Sequence, residues 1–468
     1  MKSNSKSTRS RNDSRHAWSF WLWLVATFSV VLIVAVIGTA GLVRHALTLG
    51  HTRLSDTQAD VVIALSEFPL LVRTAVQELA SRILGEPFPL LLDRNQIEKP
   101  SWVRRFPASE DSGFLLFSGV DPAAKHSIVQ LIRISDGKVV SRWEPDWSAI
   151  YERTTAKKGA PVRSLGTSMA IHPLLLADGD IIFNTDTSLV RLSPCSPLPV
   201  WVLDQEMHHS IQFDESGSAV WVPSVSKDAF ADNPWIRDRV RDDALAHVST
   251  DGQVLDKRSF ARILLDNGLR AMLLSGDLRN DPIHINEIKV ALQSTHYWQR
   301  GDLLISAAAP SAVFLYRPST DRIIWHQTGP WLHQHSADFV DDHRISVFDN
   351  NVLTGVPDDY AFVRPDATNH VILYDFDTGR TSEPYAALLA KARPVTRTQG
   401  RARVLPDGGL FVEETNYGRH LRFTRDRLLW SRINDYDDRR IGAVSWSRYL
   451  TAEEAAGPLR ALIARRCQ

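Results

Sequence analysis

Residues 131–143 read LIRISDGKVVSRW, and this stretch decides the fold. A short alternating run leads into a Ser135-Asp136-Gly137 turn, and a second short run closes on Trp143. Alternation on either side of a Gly-bearing turn is the pattern of two antiparallel strands with one buried face. The plan recurs as LVRLSPCSPLPVW (189–201), FLYRPSTDRIIW (314–325), ILYDFDTGRTSEPY (372–385) and LRFTRDRLLW (421–430), each ending on an aromatic. The stretch from 209 to about 260 follows it with an insertion and no closing tryptophan, which brings the number of units to about six. Periods of roughly 40–60 residues built from short strands and turns mark a β-propeller, each unit being one blade. The expectation is an all-β, six-bladed β-propeller whose tryptophans pack between blades.

Histidines stand at the head of four of these units: Ile171-His172-Pro173-Leu174, His208-His209-Ser210-Ile211, Ile283-His284-Ile285-Asn286 and Gln334-His335-Ser336-Ala337. The first strand of a propeller blade lines the central channel, so His172, His209, His284 and His335 are expected to face one funnel. A neutral imidazole is a competent nucleophile near pH 7, and a second imidazole can carry protons to and from a substrate. His296, His326, His333 and His343 have no counterpart at that repeat position and read as surface or supporting residues. Asp349-Asn350 ends a β run and reads as a turn that supports the site. Clustered imidazoles also suit a transition metal. The short ligand spacings of a zinc site are absent, however, and neither a metal nor another cofactor is expected.

The remainder of the chain frames this domain. Its 468 residues are 44% hydrophobic, a globular composition, and 54 basic residues balance 54 acidic ones, which argues against a nucleic-acid partner. Residues 1–16 form a basic tail, with Lys2, Lys6, Arg9, Arg11 and Arg15 against Asp13. Residues 17–43 carry no charge and exceed both the ~20 residues that cross a bilayer and the ~7–15 of a signal-peptide core. A single transmembrane helix is expected, with Trp18, Trp21 and Trp23 at the interface. Cleavage after Thr39-Ala40-Gly41 is the alternative. The positive-inside rule puts the amino end in the cytoplasm and the chain beyond Arg44 on the periplasmic or extracytoplasmic side of the inner membrane. Residues 44–110 read as a short stalk helix, with Val61, Leu65, Phe68, Val72, Val76, Leu79 and Ile83 at helical spacings over about 50–85, and a Pro-bearing linker. The propeller takes 111–450, with helical insertions at 232–245 and 386–392, and 451–468 form a helical tail. Cys195 and Cys467, the two cysteines, lie where a disulfide persists. Whether they clasp the tail or stay apart is left open by sequence alone.

The order of His208-His209, the D-x-x-H-x-N motif at 281–286, Trp325 with Gly329, Gln334-His335 and Phe348-Asp349-Asn350 resembles the bacterial arylsulfate sulfotransferases. The resemblance implies a six-bladed propeller acting outside the cytoplasm without a nucleotide sulfate donor. It further implies a two-step exchange in which His335 takes a sulfuryl group from an aryl sulfate, as a sulfohistidine, and passes it to a phenolic acceptor. His209 or His208 and His284 would assist, and Asn286 would orient the donor. One departure stands out: Ser306-Ala307-Ala308 occupies the place where the family carries Ser-Ser-Arg. Arg401 or Arg403, at the head of the sixth unit, are candidate replacements, and His172 and Asn350 further candidate substrate contacts. The alternative is a non-catalytic, membrane-anchored propeller that binds a ligand or partner in the cell envelope.

Overall fold

The computed structural model describes residues 10–48, 91–93, 102–104, 107, 110–154, 168–185, 187–226, 228–232, 240–274, 281–356, 359–362, 368–465 and 467. It divides into two compact units, Met1–Glu86 and Pro87–Gln468. In the first, Ser10–Thr48 is one α-helix of 39 residues. Its segment Trp21–Thr39, 19 residues, is apolar and long enough to cross a membrane. At 1.5 Å per residue it covers about 28 Å, close to the thickness of a bilayer's hydrocarbon core. The expected stalk helix lies outside the described residues.

The second unit is a six-bladed propeller. Blade 1 is built from Arg448–Leu450, Phe114–Val120, Ser127–Arg133 and Val139–Trp143, and blade 2 from Ile171–Leu175, Ile181–Asn184, Leu189–Leu192 and Pro199–Leu203. Blade 3 is Gln212–Phe213, Ala219–Ser226, Asp242–Ser249 and Val254–Ser259, and blade 4 is Ile285–Val290, Leu303–Ala307, Ala312–Arg317 and Arg322–Thr328. Blade 5 is Ser336–Phe339, Arg344–Asp349, His370–Asp375 and Arg380–Ser382; blade 6 is Arg401–Val404, Leu410–Glu414, Arg419–Phe423 and Leu428–Ile433. The ring is closed from both sides. The late strand Arg448–Leu450 supplies the inner edge of blade 1, and the early strand Trp102–Arg104 adds a fifth strand to the outer edge of blade 6.

The recurring aromatics tie each blade to the next. Trp143 Nε1 donates to the Gly179 carbonyl of blade 2 (3.2 Å), Trp201 to Thr250 of blade 3 (3.1 Å), the Tyr385 hydroxyl to Gly408 of blade 6 (3.0 Å), and Trp430 to Asp111 beside blade 1 (2.8 Å). Trp325 instead packs on Tyr374 and Phe376 of blade 5, with ring centroids 4.9 and 4.8 Å away. Blade 3 lacks a closing tryptophan, and there Arg258 reaches over to the Pro318 carbonyl of blade 4 at 2.7 Å. Gly179 needs its freedom twice over. Its φ is +90°, and a Cβ there would stand 2.8 Å from Leu462 of the tail helix.

One expected helix is corrected. Residues 242–249 are a strand, paired along its length with Ala219–Ser226, instead of part of a helical insertion. Ala and Leu favour helix, but burial between two strand partners overrides that local preference. The expected helix at Ala386–Ala392 is observed. The tail helix Ala452–Ala464 starts at a capping box formed by Thr451 and Glu454. Its end is fastened to blade 2 by a Cys195–Cys467 disulfide closing a separation of 272 residues and by Arg465 Nη1 on Ser193 at 3.0 Å. Replacing Cys467 by Ser is expected to cost about 2–4 kcal/mol of stability. Denaturation of the oxidised protein measures this; an unchanged midpoint would mean that packing alone holds the tail.

Candidate active site

Each inner strand begins with a residue in the left-handed conformation: His172 (φ 52°), His209 (56°), His284 (54°), His333 (53°), Gln399 (57°) and Trp446 (53°). For a residue with a Cβ this costs roughly 1–2 kcal/mol, so the turns must be held from outside. Polar side chains hold three of them. Asp281 accepts from the His284 backbone N–H (3.1 Å), Asp243 from that of Ile285 (2.5 Å), Glu413 from those of Trp446 and Ser447 (2.7 and 2.6 Å), and Ser311 Oγ from that of His333 (3.0 Å). The result is one group of rings drawn from five blades. Centroids lie 4.9 Å apart for His209 and His284, 5.6 Å for His209 and Trp446, 6.1 Å for His284 and His333, and 4.8 Å for His172 and Trp446.

This geometry revises the repeat reading. The counterpart of His172, His209 and His284 in blade 5 is His333, not His335, so His333 belongs to the cluster and is no surface residue. His335 lies two residues further in, 6.4 Å from the His284 ring and 6.5 Å from those of His209 and Trp446. The alternation His333-Gln334-His335 was the available signal, since residues two apart on a strand share a side. Trp446 escaped notice because its strand belongs to blade 1, more than three hundred residues away from its partner strands in sequence.

Hydrogen bonding sets the state of His335. Its Nδ1 lies 2.8 Å from Asn350 Oδ1 and 3.2 Å from the His333 carbonyl. Both are acceptors, because the Asn350 amide nitrogen is itself committed to the carbonyls of Thr396 (3.1 Å) and Gln399 (2.8 Å). The ring proton therefore resides on Nδ1 and the lone pair on Nε2. Burial, then the neighbouring His333 and His284, hold the His335 pKa well below the ordinary imidazole value. His209 is likewise held neutral, by burial and then by His284, His208 and His335. His284 differs. Burial opposes its charging, but the hydrogen bond to Asp281 (Nδ1 to Oδ2, 2.7 Å) and the charges of Asp281 and Asp243 outweigh it and raise the pKa. Nitrogens of His209, His284 and His335 all lie within 4.8 Å of one another. The cluster thus combines neutral imidazoles with one that favours its protonated form.

The other expected positions take different places. His208 Nε2 faces Asp243 and the Ser224 carbonyl, both at 3.3 Å, and its Nδ1 meets His209 Nδ1 at 2.8 Å, so it supports His209. His172 is fully buried, its Nδ1 accepting from Ile211 N–H (3.1 Å) and from Arg448 (2.7 Å). Asn286 is also fully buried and gives its amide to the Gln334 carbonyl at 3.0 Å, which shapes the His333–His335 segment. Ala308 gives its N–H to the His284 carbonyl at 2.9 Å. Arg401 and Arg403 line a separate cavity that none of the cluster histidines borders. The cation acting on His209 and His284 is Arg241, which sequence reading passed over inside the presumed helix. It contacts Glu206 (2.7 Å), Asp243 (3.3 Å) and Asp281 (3.5 Å).

Comparison with known proteins gives this geometry a family. The profile of the family described as Arylsulfotransferase (ASST) matches residues 172–434, over half of the chain and with every cluster histidine inside it. The chain belongs to the arylsulfotransferase family. No curated protein matches it. Among solved structures, a protein of unknown function from Bacteroides caccae aligns with a TM-score of 0.44 at 12% identity, covering 73% of this chain and 99% of that one. TolB from Acinetobacter baumannii gives 0.40 at 11% identity over 72% and 67% of the two chains. The Neurospora crassa Pan2 WD40 domain gives 0.37 at 11% over 71% and 86%. None of these three likenesses bears on function.

The tautomer assignment is open to direct measurement. Nitrogen-15 chemical shifts of the protein labelled at histidine should report an Nδ1–H imidazole at His335, lost on Asn350→Ala; an Nε2–H signal in the unaltered protein would refute the assignment.

Proposed function

We propose that this arylsulfotransferase family member transfers a sulfuryl group from an aryl sulfate to a phenolic acceptor through a sulfohistidine at His335. The observation that carries the reading is the pairing of His335, whose lone pair is directed to Nε2 by Asn350, with a His284 that Asp281 keeps ready to hold a proton. In the first step Nε2 attacks sulfur, the S–N bond forms as the S–O(aryl) bond breaks, and the His284 proton goes to the departing phenolate. In the second step the acceptor phenol loses its proton to His284, its oxygen attacks the same sulfur, and the S–N bond breaks to restore His335. The proton balance closes over the cycle. His209 and the His208 behind it face the transferred group from blade 3, and Trp446 supplies an aromatic wall for the phenol ring. Asn350 and Asn286 are positioning residues. Charge spreads over the sulfuryl oxygens in a loose transition state, as in phosphoryl transfer, so the cationic His284 and the nearby Arg241 would supply stabilisation where Ala308 offers none. The basic amino end, the apolar helix and the disulfide favour a propeller anchored at the inner membrane on its periplasmic side.

Ala308 favours a second reading, a propeller that keeps the fold and binds an aromatic or anionic ligand without turnover. Incubation with a chromogenic aryl sulfate and an acceptor phenol, followed by intact-mass analysis, separates the two. Acceptor-dependent phenol release and a gain of one sulfuryl mass, both lost in His335→Ala, are expected; a folded protein with neither leaves the binding reading. His284→Ala should slow release of a poor leaving phenol by about 10²–10⁴-fold. Treatment with a chelator should leave turnover unchanged, and a loss would assign the three imidazoles to a metal.

The pH profile follows from the directions of the two shifts. Protonating His335 removes the nucleophile, so the acid limb should lie well below the ordinary histidine value. Deprotonating His284 removes the acid, so the alkaline limb should lie above that value. Asp281→Asn should bring the alkaline limb down by about one pH unit or more; a limb that does not move would remove His284 from the acid role.

A further inference from the structure

A cavity of about 790 Å³ that none of the cluster histidines borders is walled by residues of the six inner strands and by the tail helix. Much of the wall is apolar, including Leu174, Phe213, Trp298, Phe339 and Phe411. Arg401 also lines it, is only 3% exposed, and makes no hydrogen bond through Nε or Nη1 among the described residues.

The other charges around this cavity are largely committed. Lys289 faces Asp338 at 3.2 Å, and Arg403 is held by Glu454 at 2.6 and 2.9 Å. At the rim Asp341 takes Arg344 (2.8 Å) and Asp342 takes His343 (2.7 Å). Arg448 spends its donors on His172 and on the carbonyls of Pro173 and Ile211. The charges of Arg401 and Arg448 both act on the fully buried Glu287, neither of whose oxygens accepts a hydrogen bond; Lys289 at 4.0 Å and His172 at 3.6 Å face the same carboxylate. The crowding is felt: burial and the charge of Arg401 push Arg448 down to about 9. A buried cation with unused donors is costly, and a fold that retains one beside an apolar cavity has the two halves of a receptor for an amphiphilic anion.

We infer that this cavity binds an aromatic monoanion, with its charged head on the Arg401 fork and its ring against the apolar wall. A planar guanidinium can offer two parallel N–H bonds to a sulfonate, sulfate ester or carboxylate. None of the cluster histidines borders the cavity, although Arg448 in its wall also bonds His172 at 2.7 Å, and the inference stands or falls without any transfer at His335.

Calorimetric titration of the full-length, detergent-solubilised protein with 2-naphthalenesulfonate provides the test, because a sulfonate has no S–O(aryl) bond to break. Saturable binding is expected, weakened at least about tenfold in Arg401→Gln and less in Arg401→Lys, which keeps the charge but not the fork. His335→Ala should leave this isotherm in place. Naphthalene-2-carboxylate should compete for the site, whereas 2-naphthol and inorganic sulfate, each offering one half of the ligand, should bind more weakly. Without ligand, Arg401→Gln should melt at or above the temperature of the unaltered protein, since it removes an unsatisfied buried charge. Unchanged affinity in both Arg401 variants, sulfate binding as tightly as the sulfonate, or a ligand-free Arg401→Gln protein that melts well below the original would each overturn the inference. If the glutamine variant does not fold, Arg401 is structural and the inference is likewise overturned.

Discussion

Six left-handed turns carry the site, and each has to be held in place against its own conformational cost. At two of them, those of His284 and Trp446, the groups that hold the backbone are carboxylates. Those same carboxylates govern the imidazoles. Asp281 receives both the backbone N–H and Nδ1 of His284; Asp243 receives the Ile285 N–H and faces His208; Glu413 receives the Trp446 and Ser447 N–H groups and faces His420 at 3.2 Å. Geometry and protonation are thereby coupled. A carboxylate lost from one of these places would loosen a turn and alter a proton affinity together.

That coupling needs a scaffold that does not yield, and the propeller provides it through closure. The first blade takes its inner strand from residues 448–450 and the sixth takes its outermost strand from residues 102–104, so the ring is sealed at two radii. Between blades, an outer-strand aromatic reaches across to its neighbour, and where blade 3 lacks one an arginine makes the reach. Rigid inner strands in turn give the channel two unlike ends. The heads of the strands gather imidazoles and an indole. Other residues of the same strands gather lysine, arginine and aspartate around an apolar cavity.

Between the two ends lie buried polar atoms with no hydrogen-bond partner among the described residues: Asn286 Oδ1, His172 Nε2, Gln334 Oε1 and both oxygens of Glu287. Fully buried groups of this kind are uncommon, and sites of function are where folds tolerate them. These five lie on or beside inner strands, while others of the kind, on His420, Arg422 and Arg432, lie in the outer strands of blade 6.

Much of this was legible in the chain itself. Alternation, Asp-Gly turns and a closing aromatic are local signals, and their repetition determined the number of blades, the apolar amino-terminal helix and the choice of His209, His284 and His335 as residues to watch. Local signals failed where distant contacts decide. Residues 242–249 have the composition of a helix and became a strand because two neighbours bury it. The register of His333 and His335 depends on one left-handed turn that no residue preference announces. Trp446 entered the cluster through a strand completed from the far end of the chain, and Arg401 lines a cavity that none of the cluster histidines borders. The sequence by itself determined which elements form and how often they repeat, since strand pattern and turn chemistry act over a few residues. Only the tertiary structure decided which side chains meet and with what charge, because hydrogen-bond partners and burial come from blades far apart along the chain.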